Sequence, residues 1–373
     1  MRLLVAVYAL SLAGCCDGGY GPAEANGERM VAFDAVFHQD PRWLGGDGAY
    51  SIDLGGDQVG HERTLWLFGD SFIATSDAHV RTESTMVRNS IAVMTGRDLA
   101  RAQMEFAWRD GTPPTSFFPE EGDHWFWPSE GVQVPNGPVV VFLSEERPTP
   151  NQGLGFAGAG FRAVRIADTA GVPATWTLAP TAAHAPSFAP DGNVACGGVD
   201  GDHYVALVTS GDDHAGRMAR WSFTALASGD LATPEWWTGS GWTSETALTE
   251  TPAVVIDHGA TECSLTYSEF VAGWIYVASD GFGATTIATR TAPAITGPWA
   301  ELAPAFTPDE SKVPNAFVYA AKGHALFTDN PTQLMVTFAD NSFMFADLFD
   351  PAKSAVLYWP HVVVLSFFGT VAC

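Results

Sequence analysis

Asp47 and Asp70 are the residues best placed to do chemistry in this chain. Asp47 sits in Gly45-Gly46-Asp47-Gly48 and Asp70 in Phe68-Gly69-Asp70-Ser71. Each stands at the end of an apolar, alternating run, Tyr50–Leu54 and Thr64–Phe68 respectively. Two such runs joined by a Gly-rich polar turn predict a β-hairpin. In an antiparallel hairpin the start of one strand lies beside the end of the next, so both carboxylates are expected at one edge of the sheet. Two carboxyl groups held together on a rigid scaffold are what cleavage of a glycosidic bond requires. The plainer alternative is that these Gly-Asp pairs are turn residues only.

The rest of the chain predicts the elements that would hold the pair. A unit recurs in which a Gly- or Pro-flanked polar residue leads into an apolar strand, followed by further strands and a longer connection. After the first hairpin, with Asn89–Thr95 as its third strand, units start near Trp127–Gly131, Asn193–Gly197, Thr261–Tyr267 and Phe317–Phe327. The spacing of roughly 60 to 80 residues suits blades of several strands. The expectation is an all-β, single-domain, five-bladed β-propeller, with a two-sheet sandwich as the structural alternative. The run Val356–Leu365 is expected to complete a blade with the segment around Met30–Phe37 and so close the ring. First strands of propeller blades line the axis, so Asp47, Glu130, Asn193, Glu262 and His324 are expected to converge on one pocket.

Composition narrows the class. Among 373 residues, Gly (38) and Pro (24) are plentiful and 46% are hydrophobic, which favours short strands, turns and a sizeable core. A formal net charge of −24 leaves no basic patch to meet phosphates, excluding a nucleic-acid partner. Residues 1–14 read as an export signal, too short for a permanent span. Leu12-Ala13-Gly14-Cys15 resembles a lipobox, which implies lipidation of Cys15 and an exported cell-envelope lipoprotein, membrane-bound only through its lipid. Residues 15–28 read as a flexible tether and 29–373 as the propeller. Beyond the leader, Cys196 and Cys263 either pair in an oxidising compartment or remain small buried thiols. No cofactor is expected. A structural calcium has little support, since no Asp-x-Asp-x-Asp loop is present.

The segments GGDGAYS, TLWLFGDSF, RNSIAV, WPSEGV, TAPAITGPW and LYWP resemble the glycoside-hydrolase-like five-bladed propellers, in particular domain families related to endo-acting D-arabinanases. The resemblance implies an enzyme that hydrolyses a furanose-containing polysaccharide; the leader adds export, and a monomer is expected. It implies Asp47 as nucleophile or general base and Asp70 as its partner, with Glu130 and Glu262 competing for the general acid role. Trp43, Trp127, Arg88, Asn89 and His324 would bind the sugar, while Trp66 is expected in the core. Two other functions fit parts of the sequence. A lectin-like propeller would bind polysaccharide without cutting it. Phe68-Gly69-Asp70-Ser71 also matches the opening motif of Gly-Asp-Ser esterases, with Ser71 as nucleophile, although the alternating helices of that fold are missing.

Overall fold

Trp43–Gly55 and Arg63–Ala74 form the expected hairpin, paired antiparallel from Trp43↔Ile73 to Gly55↔Arg63. The computed structural model describes residues 20, 22–56, 58–150, 153–281 and 283–369. The export signal and Cys15 lie outside these. Ser90–Thr95 and Gln103–Ala107 extend the hairpin outward, with Ser84–Val87 pairing the far end of its second strand. We call this sheet blade I.

Four further antiparallel sheets follow. Blade II contains Trp125–Gln133, Val139–Pro148, Phe156–Ile166 and Leu178–Pro180. Blade III begins with Asn193–Asp200, His203–Ser210 and Ala215–Ser222, and blade IV with Ser264–Ser268, Gly273–Ser279 and Ile287–Ala292. Blade V contains Ala316–His324, Gln333–Ser342 and His361–Phe368. The first strands of the blades neighbour one another in a closed cycle, I to II to III to IV to V and back to I. That cycle defines a five-bladed propeller and excludes the sandwich.

The core follows from the alternation in each strand. One apolar cluster fills each gap between successive blades, because both faces of every sheet are covered. In blade II, Val139, Val141 and Leu143 face blade I, whereas Val140 and Phe142 face blade III. Trp66 lies fully buried between blades V and I, as expected, edge-on to Phe37 at 5.3 Å.

Three boundaries differ from the sequence expectation. The ring is closed by Glu24–Arg29, which pairs with His361–Phe368 from Glu24↔Phe368 to Arg29↔Val363. The tether expected over residues 15–28 therefore ends before Glu24. Its alternating Ala25, Gly27 and Arg29 fit a blade edge: Ala25 is buried, and a Cβ at Gly27 would collide with the Phe306 ring. Val31–His38, expected to close the ring, is instead a 3-10 helix whose Phe37 plugs the core. Arg217–Leu226, expected from its sequence as the third strand of blade III, is strand only as far as Ser222; Phe223–Ser228 is a short helix capped by Ser222 Oγ at one end and by left-handed Gly229 at the other.

Candidate active site

Asp47 owes its position to glycine. Gly45 and Gly48 flank it with φ of +112° and +82°, values that disfavour a Cβ. The register slips between Gly46↔Ser71 and Gly48↔Phe68, so the second strand bulges at Gly69-Asp70 opposite the single residue Asp47. A side chain at residue 69 would collide with Asp47 Oδ1. The two Gly-Asp pairs thus fit one another: Gly69 clears space for the Asp47 carboxyl, and Gly46 lets its strand pass close to Ser71 and Trp43. Ala49, Ala320 and Tyr358 also hold positive φ, at 59°, 58° and 68°. Non-glycine residues in this region cost energy and concentrate where a site demands them.

Around Asp47 the hydrogen bonds come from blade V and the connection inside it. Tyr319 and Tyr358 donate their hydroxyls to Asp47 Oδ2, at 2.7 and 3.1 Å. Asp70 is held from blades I and II: Trp127 Nε1 donates to Oδ1 at 2.9 Å and Arg88 to Oδ2 at 3.4 Å. The side chain of Asp70 keeps 17% of its exposure, so solvent reaches it. Arg88 also lies over the Trp125 ring, 4.4 Å from its centroid. Beside Arg88 a hollow of about 300 Å³ opens between Met86, Val87, Pro114, Ser116 and Glu120.

Beneath the pair stands a cation that the sequence reading missed. Lys322 is fully buried, and its Nζ donates to Gly48 O at 2.7 Å, Ala320 O at 2.9 Å and Glu262 Oε1 at 2.9 Å. All three of its N–H donors are used, and Nζ also sits 4.2 Å from the Tyr50 ring centroid. Glu130 accepts a hydrogen bond from Gly197 N at 2.8 Å. Carboxyl groups from blade I, blade II and the loop leading into blade IV thus lie around one buried lysine, with Glu262 in direct contact.

The electrostatics divide these groups. Burial, then the neighbouring charges of Glu262 and Asp70, push the Asp47 carboxyl up to about 8. Burial also raises Asp70, but Arg88 and the Trp127 N–H restrain it to about 6. Glu130 is pushed up to about 8 by burial, against the pull of Gly197 N–H and Lys322. Burial lowers Lys322, with Glu262 holding part of its proton affinity. Both carboxyls thus hold a proton more tightly than a free aspartate, and Asp70, faced by Arg88 and the indole N–H, is the more readily ionised of the two.

The structure brings together Asp47, Asp70, Glu130, Glu262, Arg88 and Trp127, and withdraws three expected sugar-binding residues. Trp43 is 1% exposed, stacks on Phe106 at 4.7 Å and donates to Ser90 Oγ; the hairpin's alternation turns it into the core between blades V and I. Asn89 is fully buried and ties the loops of blades I and II, donating to Phe118 O and Phe126 O while accepting from Phe118 N. His324 lies at the far end of its strand, bonded to Ser51 Oγ and Thr337 Oγ1 and packed on Trp66. Burial lowers His324 to about 3, which keeps it neutral. Asn193, expected at the axis, spends its amide on Thr261 O across the gap to blade IV. The esterase alternative also fails: Ser71 is fully buried, donates to Gly69 O and bonds Ser90 Oγ, with no histidine partner among the described residues.

A five-bladed propeller with acidic side chains gathered around a buried lysine at its centre defines the class. The chain belongs to the family described as domain of unknown function DUF5005, which matches residues 31–368. No curated protein matches it. Among solved structures, a Bacteroides ovatus protein described as a candidate hydrolase superposes with a TM-score of 0.71 at 15% identity, covering 94% of this chain and 92% of that one. The catalytic domain of a Coprinopsis cinerea GH62 α-L-arabinofuranosidase gives 0.47 at 10% identity, covering 94% and 98%. A Xanthomonas citri GH43_1 enzyme complexed with xylose gives 0.45 at 11%, covering 89% and 91%. The first of these likenesses shows the shared fold.

Proposed function

We propose that the protein is a glycoside hydrolase acting on a furanose-containing polysaccharide, with Asp47 and Asp70 as its acid and base. One observation carries this reading: two part-buried carboxyls lie together at the irregular end of one hairpin, and their surroundings differ, phenols and Glu262 beside Asp47 against Arg88 and an indole N–H on Asp70. Pairs of this kind identify acid and base roles. Asp47, buried among carboxylates, holds the proton that a leaving-group oxygen needs. Asp70, faced by Arg88 and the indole N–H, is the ionised member. Its carboxylate either attacks the anomeric carbon or takes a proton from water, and the anomer first released distinguishes the two. This reverses the role expected for Asp47 as base, because its neighbours include Glu262 as well as Asp70.

Glu262 and Glu130 then support the pair and do not compete for the acid role. Glu262 serves as counter-ion to Lys322, and Glu130 is turned toward the backbone of Gly197. The phenols of Tyr319 and Tyr358 aim Asp47, much as a second layer of donors fixes any catalytic carboxyl. The lectin-like alternative shares the pocket and differs only in the absence of turnover. Release of reducing ends from a panel of furanose polymers, including D-arabinan and L-arabinan, tests the proposal. New reducing ends support it; binding to these polymers without any product would establish the lectin reading instead.

A further inference from the structure

We propose that Phe343-Met344-Phe345, on the rim of blade V, is a binding subsite for the sugar chain at a distance from the cleaved bond. This rests on the glycoside hydrolase reading for the identity of its occupant. The three residues are exposed by 59%, 55% and 55%. Among the exposed large hydrophobic residues of the described chain they are the sole consecutive run, the others being scattered singly. Single exposed apolar residues need no explanation, whereas a contiguous patch rimmed by polar groups marks a binding surface.

The patch is linked to Asp47 through packed side chains. From Asp47 the chain of contacts runs through Tyr319, hydrogen-bonded at 2.7 Å, to Phe317 at 5.5 Å between ring centroids and on to Phe343 at 4.7 Å. Ala316 pairs with Ser342 and Tyr319 with Ala339, so the run leaves its strand at the same end of blade V from which Tyr319 reaches Asp47. It is also held firmly. Phe343 N donates to Asn315 O at 3.0 Å and Met344 N to Ser342 Oγ at 3.0 Å. Ser342 Oγ in turn donates to Asp347 Oδ2 at 2.8 Å, and Asp347 pairs with Lys353. Phe345 leans on Phe349, with 5.6 Å between centroids. A pinned apolar ledge edged by Asn315, Asp347 and Lys353 suits a sugar ring, which offers C–H faces to an aromatic surface and hydroxyls to its border.

Affinity electrophoresis in gels containing D-arabinan, L-arabinan or arabinoxylan tests the inference without relying on turnover. Wild type and Asp70→Asn are both run, so that cutting of the polymer cannot hide binding. Retardation by at least one polymer is expected, and Met344→Ala/Phe345→Ala should weaken it about fivefold to tenfold. Phe345→Trp should retain it. Val59→Ala, exposed at the opposite end of the blade I hairpin, serves as the control for loss of an apolar surface residue. Melting temperatures of the Met344, Phe345 and Val59 variants should match wild type, since these side chains are exposed. Unchanged retardation in the double variant, no retardation of either parent by any polymer, or an effect confined to self-association would each overturn the proposal. Absence of reducing ends alongside retardation that depends on the ledge would instead count against the hydrolase reading alone.

Discussion

Because Asp47 and Asp70 sense one another's charge, their titration is expected in two steps that belong to the pair. The active form has Asp70 ionised and Asp47 protonated. The kcat/KM for polymer cleavage should therefore rise as pH climbs through about 6 and fall through about 8, giving a bell. A profile flat across this range would remove the assignment of roles. Lys322 invites a second test. Lys322→Met strands Glu262, whose side chain keeps 28% exposure, and should destabilise the fold by about 3 kcal/mol in urea titration. Adding Glu262→Gln should restore most of that loss, whereas an additive penalty would contradict an ion-pair role. The aspartates were legible in the sequence because glycines mark the bulges that carry them. Lys322, Tyr319 and Tyr358 were not, because they flank or occupy positive-φ irregularities at Ala320 and Tyr358 that break simple alternation. Trp43 and Asn89 were misread because nearness to the pocket in sequence says nothing about which face of a strand a side chain takes.

Most strands could be read from alternation, since each blade buries both faces and sets register tightly. The closing strand Glu24–Arg29 could not, being polar and Gly-containing with its partner more than 300 residues away. It is fastened by side chains as well as by its ladder. Arg29 pairs with Asp34 and with Glu310 at 2.8 Å, and His361 Nδ1 lies 3.0 Å from Asp34 Oδ2. Burial would lower His361, but the hydrogen bond to Asp34 and the nearby Asp340 carboxylate raise it to about 9. A folded value above the unfolded one means that this stabilisation is complete below about 6.5 and is lost as pH rises through about 9. Wild type should lose more stability than His361→Gln between pH 6 and pH 10 in chemical denaturation; equal losses would refute the network. The Cys196–Cys263 disulfide, left open by the sequence, spans 67 residues and ties blade III to the loop before blade IV. Loop closure over that span contributes about 4 kcal/mol.

At the scale of the whole molecule, ring closure is what brings the two walls of the pocket together: Asp47, Asp70 and Trp127 come from blades I and II, Tyr319, Tyr358 and Lys322 from blade V. Deleting the chain through Arg29 would expose the edge of His361–Phe368 and remove the Arg29 ion pairs. Such a truncation should melt several degrees lower and aggregate through the open edge, which light scattering during a thermal scan would show. The five-fold cycle of blades was readable from repeating strand starts, while the way the ring closes depended on contacts between the two ends of the chain that no local pattern records. The central claim is that Asp47 and Asp70 cleave a glycosidic bond together. It is tested most directly by counting reducing ends released from arabinan by wild type, Asp47→Asn and Asp70→Asn, each with its melting curve. The account predicts release by wild type and a loss of at least about 100-fold in both variants with the melting temperature unchanged; an Asp70→Asn protein that still cuts at the wild-type rate would contradict it.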